Sequence, residues 1–359
     1  MRVTVAAWIG SANAGDELIF AALRAKLVAR GARVTAITAH ARDADGGVPA
    51  VGHLDAAAVW RAVAGGDALV FGGGGLLQDQ TSSFNLPLHL SRLWIAGLTR
   101  TPHAVVGVGA GPLQTRIGRG QVRRALRGAT AVTVRDRPSA RTLRRAGVRG
   151  VRVTADLAVS LPSPQVAPAD AITACLRPWR GGRNCLPVAT RAARDVTPEA
   201  MVDRLARGLD AAAGALGLPV RLVAMQRGWD DLLHARVARR LRAPVTLLSP
   251  PPERVVAEIA ATRVVVAMRY HAAVAAILAG RPAALIGYAP KVAAIGAEMG
   301  PAARMVGWTP EALDGLADAV LAVAGRDHDL PAVLSDLRAR ERGNDTVLDD
   351  LLTLAEARR

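Results

Sequence analysis

Residues 1–38, MRVTVAAWIGSANAGDELIFAALRAKLVARGARVTAIT, contain the pattern that decides the fold. The continuous apolar run Val3–Ile9 is typical of a buried strand, and the apolar residues of Asp16–Arg30 recur at helical spacing until Gly31. Val34–Thr38 is a second apolar run. A strand, a helix and a strand in close succession predict a βαβ unit, whose strands lie parallel in a sheet covered by helices.

The same alternation continues along the chain. Further strands are predicted at Ala68–Phe71, Ala104–Val108, Ala131–Val134, Val151–Thr154, Ala171–Leu176, Val220–Ala224, Val245–Leu248, Arg263–Ala267 and Ala283–Gly287. Helices are predicted at Pro87–Gly97, Gln121–Arg127, Ser139–Ala146, Pro198–Leu216, Asp230–Leu241 and Ala332–Ala357, and a further apolar helix opens at His271. The pattern is typical of parallel α/β sheets.

One interruption divides this alternation. Leu161–Asp170, reading LPSPQVAPAD, contains three prolines in ten residues and is typical of a linker. We therefore predict an α/β protein of two Rossmann-like domains, residues 1–160 and 171–331, followed by a C-terminal helical segment, 332–359. The domains are expected to face each other across a cleft, which is the usual ligand site in such folds.

The composition favours an anionic partner. The chain has 46 basic and 30 acidic residues, a net charge of +16 and 51% apolar residues. Nucleic acid, anionic lipid and phosphorylated small molecules all fit this charge. Genomic bias is an alternative, since only Lys26 and Lys291 are lysines and the other basic residues are arginines. Nucleic-acid binding is disfavoured because aromatic residues make up only 3% and no binding module is recognisable.

Cysteine usage and hydropathy indicate the compartment. Cys175 and Cys185 are too few for a zinc site and fit a reducing cytoplasm. The start of the chain imitates a signal peptide, but its apolar stretch is only Val3–Ile9 and continues into a turn and a helix. No run of about 20 apolar residues indicates a spanning helix. We expect a cytoplasmic protein, with peripheral contact at the inner face of the membrane left open.

Three glycine-rich turns follow predicted strands of the first half. They are GSANAGDE at 10–17, GGGGLLQD at 72–79 and GVGAGP at 107–112. Glycine lets a ligand approach the backbone, and a helix amino terminus offers free N–H groups to an anion. Leu77 replaces the third glycine of a dinucleotide fingerprint, and no P-loop lysine is present. The predicted binding residues are Gly10, Asn13, Gly15, Asp16, Gly73, Gly74, Gly75, Gln78, Asp79 and Gly109.

Asp16 and Glu17 have a second interpretation, since acidic residues in a helix's first turn also stabilise that helix. We expect the loops after Gln78 and around Arg180–Arg194 to shape the acceptor site.

Charged residues at strand ends are the candidates for chemistry. His271 in the first turn of a helix, close to Arg269, suits proton transfer, although a lone histidine is more often structural. Lys291 is one of two lysines, which suggests a point charge on a phosphate. Arg135 and Arg177 also follow strands. The arginines on predicted helix faces are interpreted as solvated surface: Arg123, Arg124, Arg127, Arg144 and Arg145.

Taken in order, seven motifs resemble the series of the polysaccharide pyruvyltransferase family. They are GSANAGDE, FGGGGLLQDQTS, GVGAGP, TVRDRPS, VTAD, MRYHA and YAPK, and they extend from about Ile9 to Lys291. The resemblance implies a fold similar to GT-B glycosyltransferases. It also implies phosphoenolpyruvate as co-substrate, a glycan or lipid-linked oligosaccharide as acceptor, and no metal or other cofactor.

The resemblance places the family's functional arginine, histidine and lysine on Arg135, His271 and Lys291. It implies proton transfer by His271, donor binding by Lys291 and Arg135, and support from Arg269. The turn at Trp8–Ser11 and Tyr270 depart from the family pattern, which bears on the identity of the acceptor. A GT-B glycosyltransferase that uses a nucleotide sugar is the alternative interpretation.

Overall fold

A computed structural model describes residues 1–39, 47–80, 84–179, 195–325 and 328–358. Cys175 is a buried free cysteine, whereas Cys185 and the predicted acceptor loop Arg180–Arg194 lie outside the described residues.

The first half forms a seven-stranded parallel sheet in the order β3-β2-β1-β4-β5-β6-β7. Its strands are β1 Arg2–Ile9, β2 Arg33–Thr38, β3 Ala50–Gly52, β4 Ala68–Gly72, β5 His103–Val108, β6 Val132–Val134 and β7 Val151–Val153. Its helices are α1 Ala14–Val28, α2 Ala56–Ala64, α3 Asn85–Leu98, α4 Arg116–Leu126 and α5 Arg137–Arg145, followed by a 3-10 turn at Leu157–Ser160.

The second half forms a six-stranded parallel sheet in the order β10-β9-β8-β11-β12-β13. Its strands are β8 Ile172–Cys175, β9 Val220–Val223, β10 Val245–Leu248, β11 Val264–Ala267, β12 Ala283–Gly287 and β13 Ala303–Gly307. The helices are α6 Glu199–Leu216, α7 Asp230–Ala238, α8 Pro252–Ala260, α9 Tyr270–Leu278, α10 Pro290–Met299, α11 Pro310–Leu313, α12 Leu316–Ala324 and α13 Leu330–Glu356.

Most elements follow the predicted pattern, with exceptions that have local causes. The strands β3 and β13 and the helices α2, α8, α10, α11 and α12 were not predicted. Strand β3 has only three residues, and Arg304 interrupts the apolar run of β13. Helix α4 begins five residues before the predicted Gln121, because Thr115 caps it by accepting a hydrogen bond from the Gly118 amide (2.9 Å).

Helix α13 returns from the second half and packs on the first sheet. Asn344 accepts hydrogen bonds from Thr133 Oγ1 (2.7 Å) and Thr154 Oγ1 (2.9 Å), and all three side chains are buried. Lys26 of α1 forms ion pairs with Glu341 (3.0 Å) and Asp345 (2.8 Å) of α13. Buried polar groups need partners, so these contacts fix how α13 lies over the sheet.

The two halves meet through helix α1. Its apolar residues join a core cluster that also includes residues of α8, α9 and α13. At its start, the Ala14 amide donates to the Met225 carbonyl (2.7 Å), and Asn13 forms an isolated bridge with Gln226. The strand ends of both sheets therefore lie on either side of one cleft. In the described part of the chain, no helix has both the length and the apolar character to cross a membrane.

Candidate active site

Two adjoining cavities occupy the cleft at the carboxyl ends of the strands. We call the one with a volume of about 190 Å³ the inner cavity and the one of about 710 Å³ the outer cavity. The inner cavity is lined by Trp8, Asn13, Asp16, Gly75, Leu76, Gln78, Asn85, His89, Arg135, Arg177, Met225, Gln226, Arg269, Tyr270, His271, Tyr288 and Lys291.

The outer cavity extends over the starts of α4 and α5. It is lined by Gly75, Gln78, residues 109–114, Arg119, Arg135, Asp136, Pro138, Ser139, Thr142, Arg145, Arg177 and residues 288–291. The wall common to both cavities consists of Gly75, Gln78, Arg135, Arg177, Tyr288 and Lys291. A ligand in either cavity therefore contacts the same cationic side chains.

His271 is held between the two halves of the protein. It is the second residue of α9, and its Nε2 lies 3.4 Å from Oδ2 of Asp156, which follows β7 of the first half. Its Nδ1 faces Gly15, where a Cβ would lie only 2.1 Å away. The close approach of the imidazole therefore requires glycine at position 15. The His271–Asp156 contact joins a residue of the second half to a residue of the first.

Asp156 connects His271 to Arg135. Its Oδ2 accepts a hydrogen bond from Arg135 Nη1 (3.0 Å), and its Oδ1 accepts from the Ala158 amide (3.0 Å). Burial by itself would raise the pKa of Asp156, but His271 and Arg135 hold it well below its usual range. Asp156 therefore stays ionised and supplies a fixed negative charge beside the imidazole.

The Arg135 guanidinium is buried and already partnered. Besides Asp156, it lies 3.5 Å from Asp136 Oδ2 and 3.9 Å from the centre of the Tyr270 ring. Burial would lower the pKa of Arg135, but Tyr270, Asp156 and Asp136 raise it, so the side chain stays charged. A Cβ at Gly109 would lie 2.8 Å from Arg135 Nη2, which explains the glycine there.

Arg269 is also neutralised by a carboxylate. Its Nη2 contacts Asp230 Oδ1, its Nε donates to Asp230 Oδ2 (3.2 Å), and Nη2 also donates to Gln226 Oε1 (3.2 Å). Asp230 is fully buried and accepts from the Met225 (3.0 Å) and Gln226 (2.9 Å) amides at the start of α7. The pair fixes the orientation of Arg269 at the cavity.

Arg177 and Lys291 differ from the other cations of the cleft. Neither pairs with a carboxylate among the described residues, and both lie close to Tyr288. Arg177 Nη1 donates to the Tyr288 hydroxyl (2.6 Å), and Lys291 Nζ lies 5.9 Å from the ring centre. Burial would raise the pKa of Tyr288, but Arg177, Lys291 and Arg269 lower it to about 7. The common wall therefore has an excess of positive charge.

Among the residues that the structure describes, Asp16 is the only carboxylate that lines the inner cavity. It is buried in the first turn of α1, and Asn13 Nδ2 donates to its Oδ2 (2.5 Å). Burial raises the pKa of Asp16 despite the opposing effects of His271, Lys291 and Asn13. The neighbouring Glu17 instead accepts from the Gly10 amide (2.8 Å), which stabilises the preceding turn.

The predicted glycines only partly reach the cavities. Gly75 and Gly109 line them, whereas Gly10, Gly15, Gly73 and Gly74 line neither. A Cβ at Gly73 would lie 1.9 Å from Ile19 Cγ2, and one at Gly74 would lie 2.8 Å from Asp16 Oδ1. The close approach that the glycine run predicted is therefore mainly that of helix α1 and not of a ligand.

Asp79 also lies outside both cavities. Its carboxylate accepts hydrogen bonds from the Gln114 amide (2.7 Å), the Thr115 amide (2.9 Å) and Thr115 Oγ1 (2.5 Å). These contacts hold the turn before α4, so Asp79 shapes the outer cavity indirectly. The other predicted residues line at least one cavity: Asn13, Asp16, Gln78, Arg135, Arg177, Arg269, His271 and Lys291.

Several lining residues were not predicted from the sequence. Trp8 packs against His53 (5.5 Å between ring centres) and His89 (5.4 Å). Burial, Arg92 and His53 lower the pKa of His89 to about 3, so this part of the inner cavity is neutral and aromatic. Two other lining residues, Tyr270 and Tyr288, could have been noticed from the composition. They are the only tyrosines of the chain, and both line the inner cavity.

No group of three or more histidine, cysteine or acidic side chains is placed to hold a metal ion in the described part of the chain.

Comparison with known proteins gives a family and a fold. The sequence model of the family described as polysaccharide pyruvyl transferase matches residues 13–290. Curated proteins give no significant match.

Among solved structures, sucrose-phosphate synthase from Thermosynechococcus elongatus has a TM-score of 0.61 at 14% identity, with 100% of both chains covered. UDP-N-acetylglucosamine 2-epimerase from Rickettsia bellii has a TM-score of 0.61 at 11% identity, covering 99% of this chain and 97% of that one. Anabaena HepE in complex with UDP has a TM-score of 0.55 at 15% identity, with 99% of both chains covered. These likenesses confirm the predicted fold of two parallel α/β sheets in the GT-B arrangement.

Proposed function

The chain belongs to the polysaccharide pyruvyl transferase family, and from that premise we propose that it moves pyruvate from phosphoenolpyruvate onto a sugar. The acceptor is a sugar of a cell-envelope polysaccharide or of its lipid-linked precursor, and the product is a pyruvate ketal. The observation that carries the donor assignment is a pair of cations, Arg177 and Lys291, that lie at the junction of the two cavities and have no carboxylate partner in the described part of the chain.

Charge supports phosphoenolpyruvate as the donor. The molecule carries a phosphate and a carboxylate on three carbons, and two cations without a carboxylate partner complement these groups. Arg135 and Arg269 form ion pairs with Asp156 and Asp230, so they mainly fix the shape of the cavity wall and contribute less to binding the donor. The inner cavity, at about 190 Å³, suits a three-carbon donor, and the outer cavity, at about 710 Å³, suits a sugar.

The proposed reaction has two additions to the same carbon. Protonation of the methylene carbon of phosphoenolpyruvate makes the adjacent carbon electrophilic, and one sugar hydroxyl adds there and loses its proton. Phosphate then leaves with the electrons of its C–O bond, a neighbouring hydroxyl adds, and its proton is released with the phosphate. One proton enters at carbon and two leave the hydroxyls, so the products are the ketal and hydrogen phosphate.

Three side chains suit the proton transfers. We assign protonation of the methylene carbon to His271, because it lines the inner cavity beside an ionised carboxylate. Asp156 Oδ2, 3.4 Å from Nε2, orients the imidazole. Tyr288 lies on the common wall, where its hydroxyl, held by Arg177 Nη1 (2.6 Å), can orient the acceptor hydroxyl at the point where donor and acceptor meet, and the imidazole of His271 can take up the hydroxyl proton after it has protonated the donor.

A nucleotide-sugar glycosyltransferase is the second candidate. It is favoured by the likeness to structures such as that of Anabaena HepE in complex with UDP. The two proposals predict different donors. Protection against thermal unfolding by phosphoenolpyruvate, without protection by UDP or GDP, supports pyruvyl transfer, because only a ligand of the native state raises its stability.

The decisive experiment is turnover. The purified protein is mixed with phosphoenolpyruvate and a panel of hexose and amino-sugar acceptors, and released phosphate and product mass are followed together. We expect phosphate release and the mass gain of a pyruvate ketal on one acceptor. Absence of both, with no binding of phosphoenolpyruvate, would replace this proposal with the glycosyltransferase. Because phosphoenolpyruvate is a cytoplasmic metabolite, the proposal also places the protein in the cytoplasm.

A further inference from the structure

The positive charge of the protein is concentrated in one stretch. Residues 116–152 contain twelve arginines and one aspartate, which is +11 of the net +16 of the chain. Ten of these arginines are exposed. The single acidic residue, Asp136, is buried and caps α5 by accepting from the Ser139 amide (2.7 Å), so the surface of this stretch has no carboxylate.

Seven of the ten exposed arginines lie on helices α4 and α5, and the other three, Arg127, Arg149 and Arg152, lie just beyond the ends of these helices. We call the surface formed by these ten residues the arginine face. Val122 of α4 and Leu143 of α5 are buried in the same core cluster, so both helices cover the same side of the first sheet. Arg123 of α4 lies against the turn after α5, with its Cδ 3.1 Å from where a Cβ of Gly147 would be. The two basic helices are therefore neighbours.

Genomic bias does not explain this surface. Several arginines elsewhere are paired with carboxylates, as in Arg30–Asp349 (2.6 Å), Arg236–Asp195 (2.6 Å) and Arg340–Glu298 (2.6 Å). Enrichment in arginine alone would not also remove the acidic residues from the surface of residues 116–152, where the one aspartate is buried. The arginine face instead repels itself, which favours an anionic partner that neutralises it.

The arginine face borders the outer cavity. Arg119 of α4 and Thr142 and Arg145 of α5 line that cavity. Beside them, Ile117 in the first turn of α4 is 74% exposed. An apolar side chain among cations at the mouth of a sugar site is a feature of surfaces that bind lipid headgroups and insert shallowly below them.

We propose that the arginine face docks on an anionic membrane and holds the outer cavity at the surface where a lipid-linked acceptor arrives. The acceptor part of this inference rests on the proposed function, but the docking does not. A membrane is favoured over nucleic acid because residues 116–152 contain no aromatic side chain for base stacking.

The test is sedimentation with vesicles of phosphatidylcholine, with and without phosphatidylglycerol. One variant changes Arg124, Arg127, Arg141 and Arg149 to Gln, since all four are exposed and none lines a cavity. The matched control makes the same change at Arg33, Arg239, Arg242 and Arg263, which are exposed elsewhere. Both variants lower the net charge equally, so only the location of the charge differs.

We expect binding to the anionic vesicles only, and a loss of at least tenfold in affinity for the first variant but not for the control. Each basic residue at an anionic surface contributes about a fivefold factor in affinity, and less as salt increases. Ile117→Ser should weaken binding further at high salt, when the apolar contact dominates. Equal losses in both variants, or binding to duplex DNA tighter than to vesicles at the same salt, would overturn the proposal.

The experiment uses no phosphoenolpyruvate, so it can fail while pyruvyl transfer stands, and the reverse also holds. In turnover, the first variant should keep the wild-type rate on a soluble sugar acceptor and lose rate only on a lipid-linked acceptor in vesicles. An equal loss on both acceptors would indicate damage to the active site and contradict a docking role.

Discussion

Tyr288 provides a direct measure of the electrostatic field in the proposed donor site. A pKa of about 7, against an ordinary value of about 10, corresponds to ~4 kcal/mol of preference for the phenolate. The cations Arg177, Lys291 and Arg269 supply this preference against the effect of burial. Phosphoenolpyruvate bound to Arg177 and Lys291 would neutralise much of that field, so the pKa of Tyr288 should rise in the complex.

The assay is the near-ultraviolet absorbance of tyrosinate as a function of pH. The chain has only two tyrosines, and burial raises the pKa of Tyr270 well above its ordinary value. A single tyrosine should therefore titrate with a midpoint at about pH 7 in the free protein. The transition should be absent in Tyr288→Phe and should move up by at least about one pH unit at saturating phosphoenolpyruvate.

The sign of the linked effect on affinity follows from the same charges. The negative charge of ionised Tyr288 offsets the cations to which phosphoenolpyruvate is proposed to bind. At a pH above the pKa of Tyr288 in the free protein, binding of phosphoenolpyruvate is therefore accompanied by protonation of Tyr288. Affinity should fall as pH rises above about 7, by up to tenfold per unit, until the pKa of the complex is reached. The phosphate of the ligand, with a second pKa of about 6, is already ionised there. A midpoint unchanged by phosphoenolpyruvate, or no tyrosine titrating below about pH 9, would refute this account of the site.

Three substitutions test the remaining contacts. His271→Asn should lower turnover by at least about 100-fold while circular dichroism and the melting temperature stay unchanged, and a near-normal rate would remove His271 from proton transfer. Gly15→Ala should lower turnover by displacing His271, whose Nδ1 would lie 2.1 Å from the new Cβ. At an unconstrained helix position the same substitution would stabilise the protein by about 1 kcal/mol. A Gly15→Ala variant that is more stable and fully active would therefore contradict this contact. Asn344→Ala removes the short hydrogen bonds of Thr133 and Thr154 and leaves their hydroxyls only the longer ones to the Val105 (3.5 Å) and Val134 (3.3 Å) carbonyls. This should cost about 2 kcal/mol, seen as a lower urea midpoint with an unchanged slope.

The proposed pyruvyl transfer would account for the two kinds of cation in the cleft. Arg135 and Arg269 are fixed by the buried carboxylates Asp156 and Asp230, which makes the wall rigid. Arg177 and Lys291 keep their charge uncompensated by any carboxylate in the described residues. A site that binds and releases an anionic substrate needs both a rigid frame and free charge.

The sequence by itself determined the fold class and the family. The βαβ pattern of residues 1–38 and its repetition placed the strands, because burial on both faces of a parallel sheet requires continuous apolar runs. Parallel topology also placed Arg177, Arg269 and Lys291 at the carboxyl edge of the second sheet and Arg135 at the carboxyl edge of the first, since each follows a strand. The family predicted from the ordered motifs is confirmed. The division into domains at 161–170 and the roles of the site residues stay predictions.

Only the tertiary structure decided which charges are paired. Asp156 lies 115 residues before His271 and belongs to the other half, and no spacing along the chain indicates that their side chains meet. The glycine run at 72–75 likewise could not be interpreted from the sequence alone. Side chains of α1, and not a ligand, lie where most of these glycines would place a Cβ atom. Strand order fixes where a residue emerges from the sheet. The distance between two side chains depends instead on how the two halves and α1 pack, and that is set by the whole buried surface between them.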